Sequence, residues 1–478
     1  MRYCGWSELF HDAGIAFVTE SGEIDFATHG ERYTQRKFDP YLPEILLGMI
    51  KNDDHVTFYE DHSIRKNKWK SLEYDIVSHS FPMQQVAYDA LDYDDFTTHH
   101  LSHAAAGFAT RPWESSEDTV ILTVDGVGEW QTVGAYNHKY EEIFEMQHPL
   151  SLGLFYTYCT KLCGLRTMEE EYVTMGMSSY GQDILSDQIW SMFWDLKDKG
   201  VSNRNHYKEW FDHKTKNMKK EDIAASIQAF AEQFFMYLAE KIAPHGKKLV
   251  VSGGCAQNII AMTKLKQSGL FEDVWVAVAP TDAGSALGAA AYSYWKHTGH
   301  DRINWTDAFL GYDMGCTINP KEVVDHLLEH EYCGIASGRA EYGPRALGNR
   351  SLIADPRKDV KDTVNTIKRR QKYRPFAPAI LEEYAEEYFD GPMNEYMQYV
   401  AKAKHDMNSV IHVDGTSRVQ IVRKDCSSIF RKIIEEFYDR TGVPMLLNTS
   451  LNIRGKPMVN NKHHANDFEM MYRVKVFT

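Results

Sequence analysis

Hydrophobic positions along this chain fall into short runs separated by polar turns, and the spacing within each run predicts its element. Near the N-terminus Ile15, Ala16, Phe17 and Val18 form an apolar run. Glu20, Ser21, Gly22 and Glu23 make a turn, and Ile24, Phe26 and Ala27 resume the run, which predicts strand, turn, strand. From 41 to 80 the pattern is mixed. Residues 83–92 read as a helix leading into Thr98-His99-His100-Leu101-Ser102-His103-Ala104-Ala105-Ala106-Gly107, whose small residues suit close packing. Residues 120–124 predict a buried strand and residues 133–136 its returning partner. Residues 151–165 predict an apolar helix, and residues 175–181 a glycine-bounded loop. The clearest amphipathic helix covers residues 221–243, where Ile223, Ile227, Phe230, Phe234 and Leu238 keep one face. Strands follow at 248–251 and 274–278. The first ends in Ser252-Gly253-Gly254-Cys255-Ala256-Gln257-Asn258, and the second runs on to Pro280-Thr281-Asp282-Ala283-Gly284 before a helix rich in small residues. Residues 296–320 read as a loop-like domain junction. Residues 443–447 read as a strand ending in Asn448-Thr449-Ser450-Leu451-Asn452.

Length changes this picture first, because 478 residues are too many for one ordinary core and two domains are expected. A net charge of −14 argues against a general nucleic-acid coat or a binder of anionic membranes. No apolar run reaches the about 18 residues that a membrane helix needs. The seven cysteines include no CxxC pair, so free thiols in a reducing compartment are expected. The N-terminus lacks an apolar signal core, which makes the cytoplasm the expected location.

Candidate chemistry sits at the element ends. His99 and His103 are four residues apart, so on a helix both imidazoles share a face, the geometry with which two histidines hold one metal ion. Asp125 and Asp282 add carboxylates, and a mixed N/O set suits iron(II), manganese or zinc better than calcium or copper(I). His100 points elsewhere and is expected to be a supporting or core group. Gly126 and Gly128, and then Gly253, Gly254 and Asn258, follow buried strands where backbone N–H groups can approach a phosphate. Plain turns would explain them too. In the last third, Arg339, Arg345, Arg350, Arg357, Lys368, Arg369, Arg370, Arg374 and Arg418 recur beside small polar residues, some inside apolar motifs such as GPRALG and YRPFAP. A buried arginine needs an anionic partner. An internal carboxylate would explain any one of them, but the set favours an oxyanion site. His11-Asp12 suits a loop facing a ligand, and equally a turn aspartate beside a surface histidine. Two basic and aromatic stretches, residues 65–70 and 210–220, have the composition that tracks phosphates and stacks bases, although solvated loops are the simpler reading.

Taken together and in order, the motifs resemble the O-carbamoyltransferases that decorate nodulation factors, cephamycins and aminoglycosides such as tobramycin. The resemblance runs through HDAG, HHLSHAAAGF, TVDGVGE, EEEYVTMGMSSYG, VVSGGCAQN, PTDAGSALGAA, GRAEYGPRALGNRSLIADPR, RPFAPAI, HVDGTSRVQ and GVPMLLNTSLN. It implies an α/β protein. Residues 1–305 would form an actin/sugar-kinase-like (ASKHA) ATPase fold of two subdomains, and residues 306–478 a threonylcarbamoyl-AMP-synthase-like α/β domain. The second domain would join carbamoyl phosphate and ATP into carbamoyl-adenylate, and the first would pass the carbamoyl group to an acceptor hydroxyl, releasing AMP. By motif, His99, His103, Asp125 and Asp282 match the metal site, and Gly253, Gly254 and Asn258 the adenosine contacts, beside Gly126 and Gly128. His11, Asp12 and Lys37 match the reaction centre, with His11 the expected general base and Asp12 its alternative. Arg345, Arg350, Lys368, Arg374, Arg418, Ser450 and Asn452 are assigned to carbamoyl phosphate activation.

The implied cofactors are ATP and a divalent metal, iron(II) ahead of magnesium or manganese. The implied acceptor is a sugar- or antibiotic-type molecule, or a hydroxymethylated pyrimidine such as 5-hydroxymethylcytosine in DNA. A homodimer is a family expectation. Thr281 stands where glycine is common, Leu451 where phenylalanine is common, and the chain is shorter than typical members, which bears on acceptor-binding segments. A threonylcarbamoyl-type tRNA-modifying enzyme and a non-catalytic nucleotide-binding regulator are the competing readings.

Overall fold

The hydrophobic runs assemble into two compact units in a computed structural model that describes residues 1–64, 92–199, 206–315 and 317–478. Unit 1 comprises residues 1–10, 16–23 and 50–304, and unit 2 comprises residues 11–15, 24–49 and 305–478. The basic stretch at 65–70 and the helix expected at 83–92, apart from Asp92, lie outside the described residues.

Unit 1 contains one strand order twice. Strands β1 (Arg2–Ser7), β2 (Gly14–Thr19), β4 (His55–Phe58) and β5 (Asp95–Phe96) stand as β2-β1-β4-β5. Strands β6 (Thr119–Val124), β7 (Gln131–Tyr136), β9 (Lys248–Ser252) and β10 (Asp273–Val276) stand as β7-β6-β9-β10, with β8 (Glu142–Gln147) beyond β7. In both sheets the first strand is flanked by a parallel crossover strand, β4 on β1 and β9 on β6. Parallel strands are buried on both faces, so β6 reads as an unbroken run with every residue buried.

Helix α1 (His99–Ala109) packs Ala104, Ala105 and Phe108 into a core with Ile121 of β6 and Val250 of β9. Helix α2 (Leu152–Leu162) starts at Ser151, whose hydroxyl caps it by accepting from Leu154 N. Helix α3 (Lys220–Ile242) buries the expected face from Ile223 to Leu238. Helices α4 (Ile259–Gln267) and α5 (Asp282–Thr298) follow β9 and β10. No helix among the described residues is long and apolar enough to cross a membrane.

Unit 2 takes in β3 (Ile24–His29), β11 (Phe309–Asp313) and β13 (Arg339–Glu341), and is centred on a six-stranded sheet. That sheet contains β12 (Tyr332–Ala336), β14 (Arg350–Ala354), β15 (Ala377–Leu381), β16 (Gln420–Val422), β17 (Met445–Ser450) and β18 (Val476–Phe477), in the order β16-β15-β17-β14-β12-β18. Period-two alternation sends Ile353 of β14 into one core and Leu352 and Ala354 into the other. The first core is closed by α6 (Pro320–His330) and by α8 (Phe430–Thr441), whose Phe430, Ile433, Ile434 and Phe437 fall on one helical face. The second is closed by α7 (Lys361–Ile367) and α9 (Lys462–Tyr472).

Three local expectations change. The strand β1 was not anticipated, because Arg2, Cys4 and Gly5 obscure its period although all but its first residue are buried. Residues 296–320 are not all loop: β11 forms there by pairing with β13, so a partner about thirty residues away supplies the order. Residues 175–177 continue a helix, Glu171–Met177, instead of a loop, since Gly176 is accommodated inside it.

Candidate metal centre and anion site

Four side chains of unit 1 bring one ligand atom each to within 4.8 Å of one another: His99, His103, Asp125 and Asp282. The helix α1 carries both histidines. Thr98 caps it, and its small residues let neighbours close in. The Nε2 atoms of His99 and His103 are 3.2 Å apart, and Asp125 Oδ2 lies 3.0 and 2.9 Å from them. Asp282 Oδ1 lies 3.6 and 3.3 Å from the same two nitrogens. Asp125 directly follows β6, and Asp282 opens α5. The absence of a side chain at Gly288 sets the spacing of α5 on α1, because a Cβ there would lie 1.7 Å from Ser102 O. At most one proton fits between two facing ring nitrogens. A convergent pair of imidazoles with two carboxylates therefore fits a divalent cation in a mixed N/O environment.

The electrostatics agree with that donor set. Burial alone would push His99 down, but Asp282, Asp125 and Glu60 outweigh it and raise it to about 10. Burial would push Asp125 up, yet His103 and His99 hold it well below the usual carboxylate range. The outer face of each histidine is also engaged. Ser285 Oγ lies 3.1 Å from His103 Nδ1, and the fully buried Glu60 lies 3.7 Å from His99 Nδ1. Glu129 accepts the His99 backbone N–H at 3.0 Å. His100 is a core group, as expected, with its ring nitrogens 2.7 Å from Thr123 Oγ1 and 2.9 Å from Gln131 O. The sequence reading missed Glu60, Glu129 and Ser285. Glu60 follows an apolar strand and Glu129 closes TVDGVGE, but neither has a fixed spacing to the histidines.

The glycine loops adjoin this centre. Gly126 N–H donates to Asp125 Oδ1 at 2.7 Å, and Gly126 O accepts from Ser151 Oγ at 2.6 Å. Gly128 N–H donates to Gln131 O in the turn before β7. Gly253 has φ +89°, and a Cβ there would meet the Val124 backbone at 2.4 Å, so this close approach requires glycine. Gly254 opens a short 3₁₀ turn to Gln257 and faces Asp125 Oδ1. Asn258 has its amide engaged. It caps α4 through Ala261 N and exchanges two hydrogen bonds with Gln228, at 3.0 and 2.9 Å.

Unit 2 gathers cations. Lys368 follows α7 and is buried, its Nζ donating to Ser450 O, Ser450 Oγ (3.2 Å), Asn452 O (3.1 Å) and Asn452 Oδ1 (2.9 Å). Burial, then Arg370 and Arg374, push Lys368 well down. Burial, then Arg345, Arg370 and Arg374, do the same to Arg418, whose buried Nε has no hydrogen-bond partner among the described residues. Like charges that depress one another in a buried setting mark a place for an anion. Arg370, which the sequence assignment left out, belongs to this group; Asn365 Oδ1 accepts from its Nε at 2.5 Å.

Arg350 departs from expectation. It is fully buried, and its three nitrogens donate to the carbonyl oxygens of Ser337, Asn349, Asn460 and Tyr312, so it braces the main chain instead of facing a ligand. His11 and Asp12 also lie in unit 2, with His11 Nδ1 3.7 Å from Asp12 Oδ2. Lys37 Nζ is held by both carboxylate oxygens of Glu31, at 2.9 and 3.1 Å. In the 210–220 stretch Phe211 is buried in the core and Asp212 accepts from Tyr158, while Trp210 is half-buried with Lys214 Nζ 5.8 Å from its ring centroid.

Residues 83–291 match a family model described as the carbamoyltransferase N-terminus, and residues 324–478 one described as the carbamoyltransferase C-terminus. The nodulation protein NolNO of Sinorhizobium fredii is 33% identical over 77% of this chain and 60% of its own length. The nodulation protein NolO of Bradyrhizobium diazoefficiens is 31% identical over 77% of this chain and 75% of its own. An uncharacterized protein of Synechocystis is 28% identical over 95% of this chain and 92% of its own.

Proposed function

Because this chain belongs to the carbamoyltransferase family, we propose that it is an ATP-dependent O-carbamoyltransferase that activates carbamoyl phosphate in unit 2 and transfers the carbamoyl group to an acceptor hydroxyl. The observation that carries this reading is the convergence of Arg345, Lys368, Arg370, Arg374 and Arg418 beside Ser450 and Asn452. A phosphate would neutralise cations that otherwise oppose one another, and they would stabilise charge as water releases phosphate from carbamoyl phosphate and the carbamate so formed displaces pyrophosphate from ATP to give the mixed anhydride with AMP. Lys368 Nζ, whose donors are taken by Ser450 and Asn452, would contribute its charge and hold those two residues in place, and Arg418 Nε, without an acceptor among the described residues, would gain one.

The repeated strand order of unit 1 supports an ASKHA-type fold of two subdomains there, with unit 2 the adenylate-forming part. A divalent cation held by His99, His103, Asp125 and Asp282, iron(II) ahead of magnesium or manganese, would supply charge stabilisation for the departing phosphate group. His11, with Asp12 beside it, is the general base for the acceptor hydroxyl, since a neutral imidazole removes a proton near pH 7. Lys37, balanced by Glu31, would orient the donor. The acceptor is a sugar- or antibiotic-type hydroxyl. A hydroxymethylated pyrimidine, free or in DNA, is the second acceptor class.

The test is a mass-spectrometric acceptor screen with ATP, carbamoyl phosphate and iron(II) or magnesium. A mass gain of one carbamoyl group with AMP released supports the reading. Neither AMP nor product in a preparation shown to bind the cation would refute it.

A further inference from the structure

The loop that presents Arg345 is wrapped around a single buried carboxylate. Glu341, at the end of β13, is 3% exposed. Its Oε1 accepts the backbone N–H groups of Leu347 at 2.8 Å, Asn349 at 2.9 Å and Arg350 at 3.1 Å. Its Oε2 is buried and makes no hydrogen bond among the described residues. Its charge acts on two buried arginines, Arg32 and Arg350; Arg32, 2% exposed, donates Nη2 to Gly343 O at 3.0 Å while its Nε and Nη1 make no hydrogen bond among the described residues. The two side chains thus hold the loop from opposite ends, Arg32 by a carbonyl near its start and Glu341 by three amides near its finish. Arg345 lies between these grips, and its guanidinium is one of the charges acting on Arg418. A carboxylate accepting several backbone N–H groups is a strong anchor for a loop, and a functional cation is only as well aimed as the backbone that carries it.

We propose that Glu341, assisted by Arg32, is a positioning residue that aims Arg345 into the anion site of unit 2, so that affinity for the phosphate group depends on a carboxylate that never touches it. This rests on the anion-site reading given above. Glu341→Gln keeps an oxygen for the three amides but removes the charge that acts on Arg32 and Arg350. Glu341→Asp keeps the charge and withdraws the oxygen by one methylene.

The experiment is a double-mutant cycle on the full chain, with Glu341→Gln, Arg345→Ala and the pair, reading inorganic phosphate affinity by calorimetry and the KM for carbamoyl phosphate and for ATP separately. The expected result is a loss of at least tenfold in phosphate affinity for each single variant and no further loss in the pair, with the KM for ATP unchanged in Glu341→Gln. Equal losses that add in the pair would mean that Glu341 acts only on general stability, and would overturn the proposal. So would unchanged phosphate affinity in Glu341→Gln while Arg345→Ala is impaired. Unchanged phosphate affinity in Arg345→Ala itself would instead overturn the anion-site reading. Should Glu341→Gln fail to fold, Glu341→Asp takes its place in the cycle, with the same outcomes.

Discussion

Adding one methyl group at Gly288 should disable the metal centre from a distance. A Cβ at this position would lie 1.7 Å from Ser102 O and 2.9 Å from Ala106 N, both main-chain atoms of α1. Neither can rotate away, as a side chain could. A carbon and a carbonyl oxygen need about 3.3 Å, so α5 must move from α1 by roughly 1.6 Å. Ser102 sits between His99 and His103, and α5 begins at Asp282, so the displacement separates this ligand from the two histidines. Metal sites accept deviations of about 0.2 Å, which the displacement exceeds several-fold. Overpacking of this kind costs about 1–3 kcal/mol of stability. The loss of cation affinity should be at least about tenfold, the lower end of what removing a supporting group costs. The assay is calorimetric titration of Gly288→Ala with manganese(II), together with urea unfolding. Gly176→Ala is the control, since that glycine lies inside a helix with nothing within 4 Å, and alanine there should stabilise by about 0.5–1 kcal/mol. Full manganese affinity in a Gly288→Ala protein that unfolds like the parent would refute the claim that this helix contact sets the ligand geometry.

Glu60→Gln and Ser285→Ala remove the groups beyond the two histidines, and each should weaken cation affinity by about 10–100-fold without touching the ligands themselves; affinities within twofold of the parent would count against their orienting role. A chelator should lower the unfolding midpoint and a divalent cation restore it, with about 2.7 kcal/mol gained at one hundred times the dissociation constant; a midpoint indifferent to iron(II), manganese(II), magnesium and zinc would remove the metal from this site. Burial, then Arg32 and Lys37, depress His29 to about 3, against the pull of Asp12. The unfolded chain therefore binds this proton below about pH 6.5, and the stability contribution, complete above that pH, is lost as pH falls toward 3. Replacing it by His29→Phe, which keeps a ring against Tyr342, should flatten the decline between pH 6.5 and 5 by up to about 1.4 kcal/mol per pH unit; an unchanged slope in urea unfolding would show that His29 is not the group responsible.

The parts legible in the sequence were those whose signal is local. A four-residue histidine spacing, strands that end in Asp-Gly or Gly-Gly, and a long amphipathic face at 223–238 led to α1, to the ends of β6 and β9, and to α3. The arginine-rich last third announced a cationic cluster, because charge inside apolar motifs is costly unless something needs it. What stayed hidden depends on partners far along the chain. Glu60 and Ser285 reach the histidines only through packing, and β11 is a strand only because β13 lies beside it. Arg350 shows the reverse error. Composition cannot distinguish an arginine aimed at a substrate from one whose donors are all taken by carbonyl oxygens.

The hydrogen bond from Arg32 to Gly343 joins residues 311 positions apart, and this sets a timetable for the nascent chain. At about 5–20 residues per second, roughly 15–60 s separate the emergence of Arg32 from the ribosome and that of its partner. Throughout that interval the guanidinium, which ends 2% exposed, has neither its carbonyl nor the Glu341 charge, and residues 24–49 await the rest of unit 2. Unit 1, complete at residue 304, can settle first, while the segment bearing Arg32 and Lys37 is held open. Folding of unit 2 is therefore post-translational with respect to residues 24–49, whose partners are synthesised last.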